Sequence, residues 1–174
     1  MSTYVVGIEP TTLREAVDPV AAAARLEELG NERSLSALGE RVDLLRLTGR
    51  IDEAMDVANE AVRQATFDGE RERLVTARMR RAVVKQHAGK LEAALIELSE
   101  CASEAADYGW NETEGAALHH RGTVNFELDK IDDAARDLSD ALICRIRANG
   151  TPTEIDNTMI AIGVVLQVSD SRAA

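Results

Sequence analysis

Three segments of this chain align without gaps at a spacing of 40 residues, and that register restricts the fold to a stack of like units. They are GRIDEAMDVANEAV from Gly49, GKLEAALIELSECA from Gly89 and DKIDDAARDLSDAL from Asp129. Each opens on a turn residue, then a base (Arg50, Lys90, Lys130) and an aliphatic residue (Ile51, Leu91, Ile131). An alanine stands five places after the turn residue (Ala54, Ala94, Ala134), and a small residue seven places further on (Ala61, Cys101, Ala141). The segments upstream keep the same register in Ala37, Ala77 and Ala117, in Arg41, Arg81 and Arg121, and in Leu44, Val84 and Val124. A fixed period of this length marks a supersecondary unit that cannot bury its apolar face alone and must stack on its neighbours.

Each unit reads as two helices. In the second, Ile51, Ala54, Met55, Ala58, Ala61 and Val62 recur at steps of three and four and share one face. The first carries a similar stripe in Ala37, Leu38, Val42, Leu44 and Leu45. Aromatics make up only 3% of the chain, so alanine, leucine and valine must fill the core, and alanine favours closely packed helices over sheet. Gly49 and Gly89 suit the reversal between antiparallel helices, and Asp129 takes their place in the third unit. Asn111 with Glu114 and Thr151 with Glu154 have the spacing of capping boxes. These signals predict an all-α superhelix of about eight helices: an extended segment 1–11, an N-terminal helix 12–29 with a Thr12–Glu15 cap and a bend at Pro19, hairpins 34–67, 72–108 and 111–149, a terminal helix 153–168 and a tail 169–174.

The helix pair with alanine packing positions, a glycine turn and the segment ALHHRGTVNFELDKIDDAARDLSDAL resembles the tetratricopeptide repeat in a long variant, its period of 40 exceeding that family's usual ~34. The chain departs from the family pattern twice. Leu45, Lys85 and Asn125 stand where a large aromatic is common, and Arg41, Arg81 and Arg121 stand where leucine is usual. The resemblance implies that the first helices of successive pairs line a concave face. It puts Gly39, Met79 and His119 there, with Asp43, Val83 and Thr123 a turn further on, then Arg46, Gln86 and Phe126, and near them Leu47, His87 and Glu127. Such a face resembles a peptide groove, and by family analogy the role is regulatory and bacterial. It lacks the Lys/Asn set with which some members clamp a terminal carboxylate. The three register-matched arginines are expected to pair with an acid of the next unit, the alternative being a cationic ladder along the groove.

With 31 acidic and 20 basic residues the net charge is −11, which disfavours nucleic acid and anionic membrane as partners. Two cysteines, Cys101 and Cys144, make no disulfide framework, and neither a secretory leader nor a membrane-spanning run is visible, so the expected compartment is the cytoplasm. No phosphate loop, nucleophile elbow or metal-ligand spacing is present, so neither an enzyme nor a cofactor is expected. His87, His119 and His120 read as structural or solvent-facing, the adjacent pair pointing roughly 100° apart on a helix.

Three functions compete. The first is an adaptor that holds a peptide or protein segment at Asp43, Arg46, Leu47, Met79, Val83, Gln86, His87, His119, Thr123 and Phe126. The second is a self-assembling unit, a homodimer through the terminal helix. There Ile155, Met159, Ile162 and Leu166 form one apolar stripe and Ile160, Val164 and Val168 another. The third is a helical domain that senses a small ligand or phosphate.

Overall fold

The computed structural model describes residues 4–173. Within them the chain is all-α apart from one short hairpin: strands β1 (Val5–Ile8) and β2 (Glu15–Val17) precede helices α1 (Pro19–Leu29), α2 (Leu35–Leu47), α3 (Ile51–Asp68), α4 (Arg71–His87), α5 (Leu91–Tyr108), α6 (Asn111–Glu127), α7 (Ile131–Arg147) and α8 (Pro152–Ala173). Each helix packs on the next. In addition α2 touches α4, α4 touches α6 and α6 touches α8, whereas no contact of similar extent links α3, α5 and α7. The even-numbered helices therefore form an inner layer and the odd ones an outer, more widely spaced layer. That is the geometry of a stack curling around an inner space.

The three hairpin turns are one structure repeated. Gly49, Gly89 and Asp129 all take positive φ, at 78°, 72° and 64°. In each the following amide donates back to the third residue from the helix end: Arg50 N to Leu45 O, Lys90 N to Lys85 O and Lys130 N to Asn125 O, all at 2.9 Å. This is the Schellman closure that a left-handed residue permits. Asp129 holds it without glycine, and its carboxylate pairs with Arg172 near the end of α8.

Register mates share environments. Ala54, Ala94 and Ala134 are each wholly buried where two helices of a hairpin cross, as are Ala58, Leu98 and Leu138 one turn on. The facing position in the inner helix shrinks along the stack, from Val42 to Ala82 to Gly122. A Cβ on Gly122 would lie 2.8 Å from Leu138 Cγ and 3.3 Å from the Ala134 carbonyl, so the closest approach of α6 to α7 depends on its absence.

The arginine series also repeats, with a different partner from the one expected. Each acid sits in the same hairpin, 16 residues downstream. Arg81 Nε donates to Glu97 at 3.1 Å, and Arg121 donates twice to Asp137, at 2.8 and 2.5 Å. Lys85 Nζ lies 2.8 Å from Glu97 and Asn125 Nδ2 donates to Asp137 at 2.9 Å, so the residues standing in for the family's aromatic complete a polar clamp between inner and outer helix. In the first hairpin the register position of the acid is Val57, which packs with Leu45, and Arg41 turns instead to the carbonyls of Gly30 and Glu32. Glu97 and Asp137 are both about 95% buried, and burial of a carboxylate is tolerated only with such partners.

Two expectations at the ends of helices fail. Residues 12–17 are not helical. Thr12 Oγ1 accepts from the Arg14 amide in a local turn, Leu13 has a φ of 57°, and the helix starts only at Pro19, where the Asp18 carboxylate accepts from the amides of Val20 and Ala21. Pro19 is therefore a first-turn residue and not a bend. Asn111 forms no capping box, because Trp110 is the cap residue and Asn111 Nδ2 donates to Gly109 O. Thr151 and Glu154 do form one: Thr151 N donates to Glu154 Oε2 at 2.8 Å and Glu154 N to Thr151 Oγ1 at 3.3 Å.

The glycines give a test of opposite signs. Gly122→Ala should lower stability by about 1–2 kcal/mol by forcing Leu138 aside. Gly163→Ala, where a Cβ meets nothing within 4 Å, should raise it by about 0.5–1 kcal/mol through helix propensity. Urea midpoints of the two variants measure both, and shifts of the same sign would refute this account of the α6–α7 contact.

Candidate functional site

The inner space of the stack is where the chain concentrates its buried polar groups, and its own N-terminal hairpin fills one end of it. Leu13 packs at 2% exposure among Ile131, Ala134, Leu138, Ala161 and Val165, tying the hairpin to α7 and α8. Arg14 reaches Glu127 of α6 through two bonds, Nε to Oε1 at 2.9 Å and Nη2 to Oε2 at 2.7 Å, and donates to the Gln86 carbonyl of α4 at 3.4 Å. Glu15 accepts from Arg46 Nη2 of α2 at 2.7 Å. Three consecutive residues thus reach five helices, α2, α4, α6, α7 and α8.

The face expected to be an open groove is largely covered as a result. Arg46, Met79, Val83, Gln86, His119 and Thr123 are all buried, and Asp43, Leu47, His87 and Phe126 are half-buried. These residues do face the inner space. Gln86, His87, His119 and Thr123 line one cavity of about 220 Å³, Asp43, Arg46, Leu47 and Met79 line another of about 180 Å³, and Phe126 packs on the Leu13 cluster. The cover comes from the segment read from sequence as a helix outside the first hairpin. A mouth of about 580 Å³ stays open where the first turns of α2, α4 and α6 meet, at Ser34, Glu70, Arg73 and Glu112.

All three histidines turn inward. Arg46 Nη1 donates to His87 Nε2 at 3.1 Å, which leaves His87 with its proton on Nδ1. His119 Nδ1 lies 3.3 Å from Thr158 Oγ1 of α8, and its ring meets His120 edge to face at 5.7 Å. Burial pushes His87 and His120 down to about 3, the nearby Arg46 adding to the effect in both. Burial pushes His119 well below the usual range, with Arg145 and His120 adding. Arg145 enters from α7 and donates to the Glu154 carbonyl at 2.5 Å and to the Thr158 hydroxyl. Its register mates are Ala65 and Ala105, both buried small residues, so the third hairpin breaks the repeat here. Arg80 lies flat on α2 over Gly39, where a Cβ would come within 2.6 Å of its Nη1, and donates to Asp43 at 3.2 Å.

Sequence reasoning placed Asp43, Arg46, His87 and His119 on this face but missed Arg14, Glu15, Arg80, His120 and Arg145. Only Arg145 carried a signal, a long cation at a position that is alanine twice over. The thiols are chemically quiet: burial raises Cys101 to about 12 and Cys144 to about 11, so both stay protonated at neutral pH. Among the described residues no three His, Cys, Asp or Glu side chains converge as metal ligands, and no helix is long and apolar enough to cross a membrane.

No protein-family model matches the chain, and comparison with curated proteins finds no relative. Solved structures share its fold. Among them is the crystal structure of BtubC (BKLC) from P. vanneervenii, which superposes with a TM-score of 0.65 at 16% identity over 87% of this chain and 65% of that one. The chain thus spans less than two thirds of that protein, and at this identity the likeness concerns the arrangement of helices alone.

The inward histidines predict an acid-labile fold. Their folded values lie below the ordinary 6.5, so as pH falls below 6.5 the unfolded chain takes up protons that the folded chain refuses. Stability is complete above that pH and is lost as pH drops toward the folded values, by up to about 1.4 kcal/mol per histidine and pH unit. The denaturant midpoint should fall between about pH 7.5 and 5.5, where carboxylates remain ionised. A midpoint flat across that window would show that the imidazoles are not held neutral.

Proposed function

We propose that the chain is a non-catalytic, tetratricopeptide-type binding module of the cytoplasm whose inner face receives an extended protein segment. The observation that carries this is the seat of residues 13–15. An apolar side chain inserts, a base takes Glu127 and an acid takes Arg46, which is how a peptide with alternating character would dock on such a face. In this reading the N-terminal hairpin is an intramolecular occupant, and the protein partner competes with it. The strongly acidic exterior argues against nucleic acid and anionic membrane as partners.

The test is exchange of the occupant. Arg14→Glu with Glu15→Lys sets like charges against Glu127 and Arg46 and should unseat the hairpin. That variant, checked for helical content by circular dichroism, should bind a synthetic peptide of residues 4–18 in trans, while the unaltered chain should bind it at least tenfold more weakly, a difference of about 1.4 kcal/mol. A folded variant with no affinity for the peptide would remove the proposal.

A second reading rests on α8. That helix packs inside the chain along Thr158, Ala161 and Val165, and Ile162, Val164 and Val168 of the expected interface lie on the same core. Ile155 is half-buried. Met159, Ile160 and Leu166 remain about half exposed, as do Ile143 and Ile146 of α7. Self-association through these residues would cover them. Sedimentation velocity over a concentration series should then show a dimer that Met159→Lys with Leu166→Lys converts to monomer, and a wild-type chain monomeric throughout would dispose of this reading.

A further inference from the structure

We infer that the cavity beneath the hairpin is a binding site for a small oxyanion, a carboxylate or phosphate on a compact molecule. The argument begins with charge. Of the three arginines lining it, Arg14 is matched by Glu127 and Arg46 by Glu15, but Arg145 meets only a carbonyl and a hydroxyl and has no carboxylate within 4 Å among the described residues. The remaining acids nearby are engaged elsewhere. Asp43 lies between Arg80 at 3.2 Å and Arg46 at 3.7 Å, and Glu154 turns its carboxylate to the Thr151 amide and hydroxyl. The cavity therefore carries one unmatched cation inside a protein whose net charge is −11. A largely buried charge without a carboxylate in contact is costly: burial works against protonation of Arg145, and the more distant Glu154 and Glu15 offset it only in part.

Packing does not explain the residue. Ala65 and Ala105 fill the same register position at 1% and 0% exposure, so the hairpin needs no long side chain there. Donors for a ligand converge on the same space. His87 keeps its Nδ1 proton because Nε2 accepts from Arg46. His120 lines both this cavity and the adjoining one, and among the described residues its ring nitrogens make no hydrogen bond. Both imidazoles would become stronger donors by protonation once an anion is bound, so binding should take up protons.

Size and access fit a compact guest. The two cavities of about 220 and 180 Å³ share Glu15, Arg46, Val83 and His120. Ile8, Leu13, Val83 and Ala116 add apolar lining to the cations, which suits an organic acid or phosphoester with a short carbon frame. A third cavity of about 160 Å³ shares Arg145, Ala116 and Glu154 with this one, and Arg80, Thr76 and Thr113 with the open mouth, so it lies between the two.

Titration of the full chain with inorganic phosphate and, separately, with succinate at constant ionic strength tests the site. The measurements are thermal unfolding and the imidazole resonances of the three histidines. Either anion should give a saturable rise in unfolding temperature, tighter at pH 6 than at pH 8, with shifts at His87 and His120. A response to one alone identifies phosphate or carboxylate as the recognised group. Arg145→Ala, which restores the residue of the other two hairpins and should fold, is expected to abolish the response, and His120→Gln to weaken it about tenfold. The absence of a saturable response to both anions, or an Arg145→Ala chain that responds like the unaltered one, would overturn the inference. Neither result bears on whether the peptide binds.

Discussion

Everything in this molecule rests on how closely two helices can approach at one crossing. Ala54, Ala94 and Ala134 are wholly buried there and present a single methyl group. Larger side chains at that point would push inner and outer helices apart, and the Schellman turns that join them span only a fixed gap. With the crossing set by alanine, the clamps of Arg81 on Glu97 and of Arg121 on Asp137 fall into place as ion pairs across each hairpin. Such pairs are weak sources of net stability because both partners must be desolvated, but they penalise any slip of one helix along the other.

The inner space is the less economical part of the design. Three neutral imidazoles, three guanidinium groups and several carboxylates crowd into a volume that leucine and alanine would fill at lower cost. Interiors built for stability alone avoid this, since each group needs a partner and each missing partner costs about 1–3 kcal/mol. The repeat itself does not require this polar crowding, and the third hairpin departs from its sisters at the positions that face it: His119 against Met79, His120 against Arg80, Arg145 against Ala105.

Much of this was legible before any coordinates. Small residues at fixed spacing reveal the hairpins because close packing leaves no freedom at those positions, and the left-handed turn residues mark their ends. The inner-layer positions followed from the resemblance to the tetratricopeptide repeat, carried along the same register. What sequence could not reveal was the hairpin at the front. Its strands are four and three residues long, too short for alternation to register. The Thr12–Glu15 spacing imitates a cap, and the residues that matter, Leu13, Arg14 and Glu15, gain meaning only from groups far along the chain. Of the two readings left open for the histidines, structural and solvent-facing, the structural one holds, because the N-terminal hairpin covers the face they line. The arginine series was assigned to the wrong partner because an acid 16 places downstream in the outer helix of the same hairpin and one in the following unit look alike until the crossing geometry is known.

A linear array of repeats ordinarily behaves like a spring, each unit coupled only to its neighbours, so that the ends fray and the pitch breathes. The bond from Arg14 to Glu127 spans 113 residues and changes that mechanics. It straps the beginning of the chain to its last complete hairpin and turns an open coil into a closed loop. Extension, end-fraying and piecewise melting are then no longer independent motions. Release of one short strap would restore all of them together, altering the curvature of the entire stack from a single point near its N-terminus.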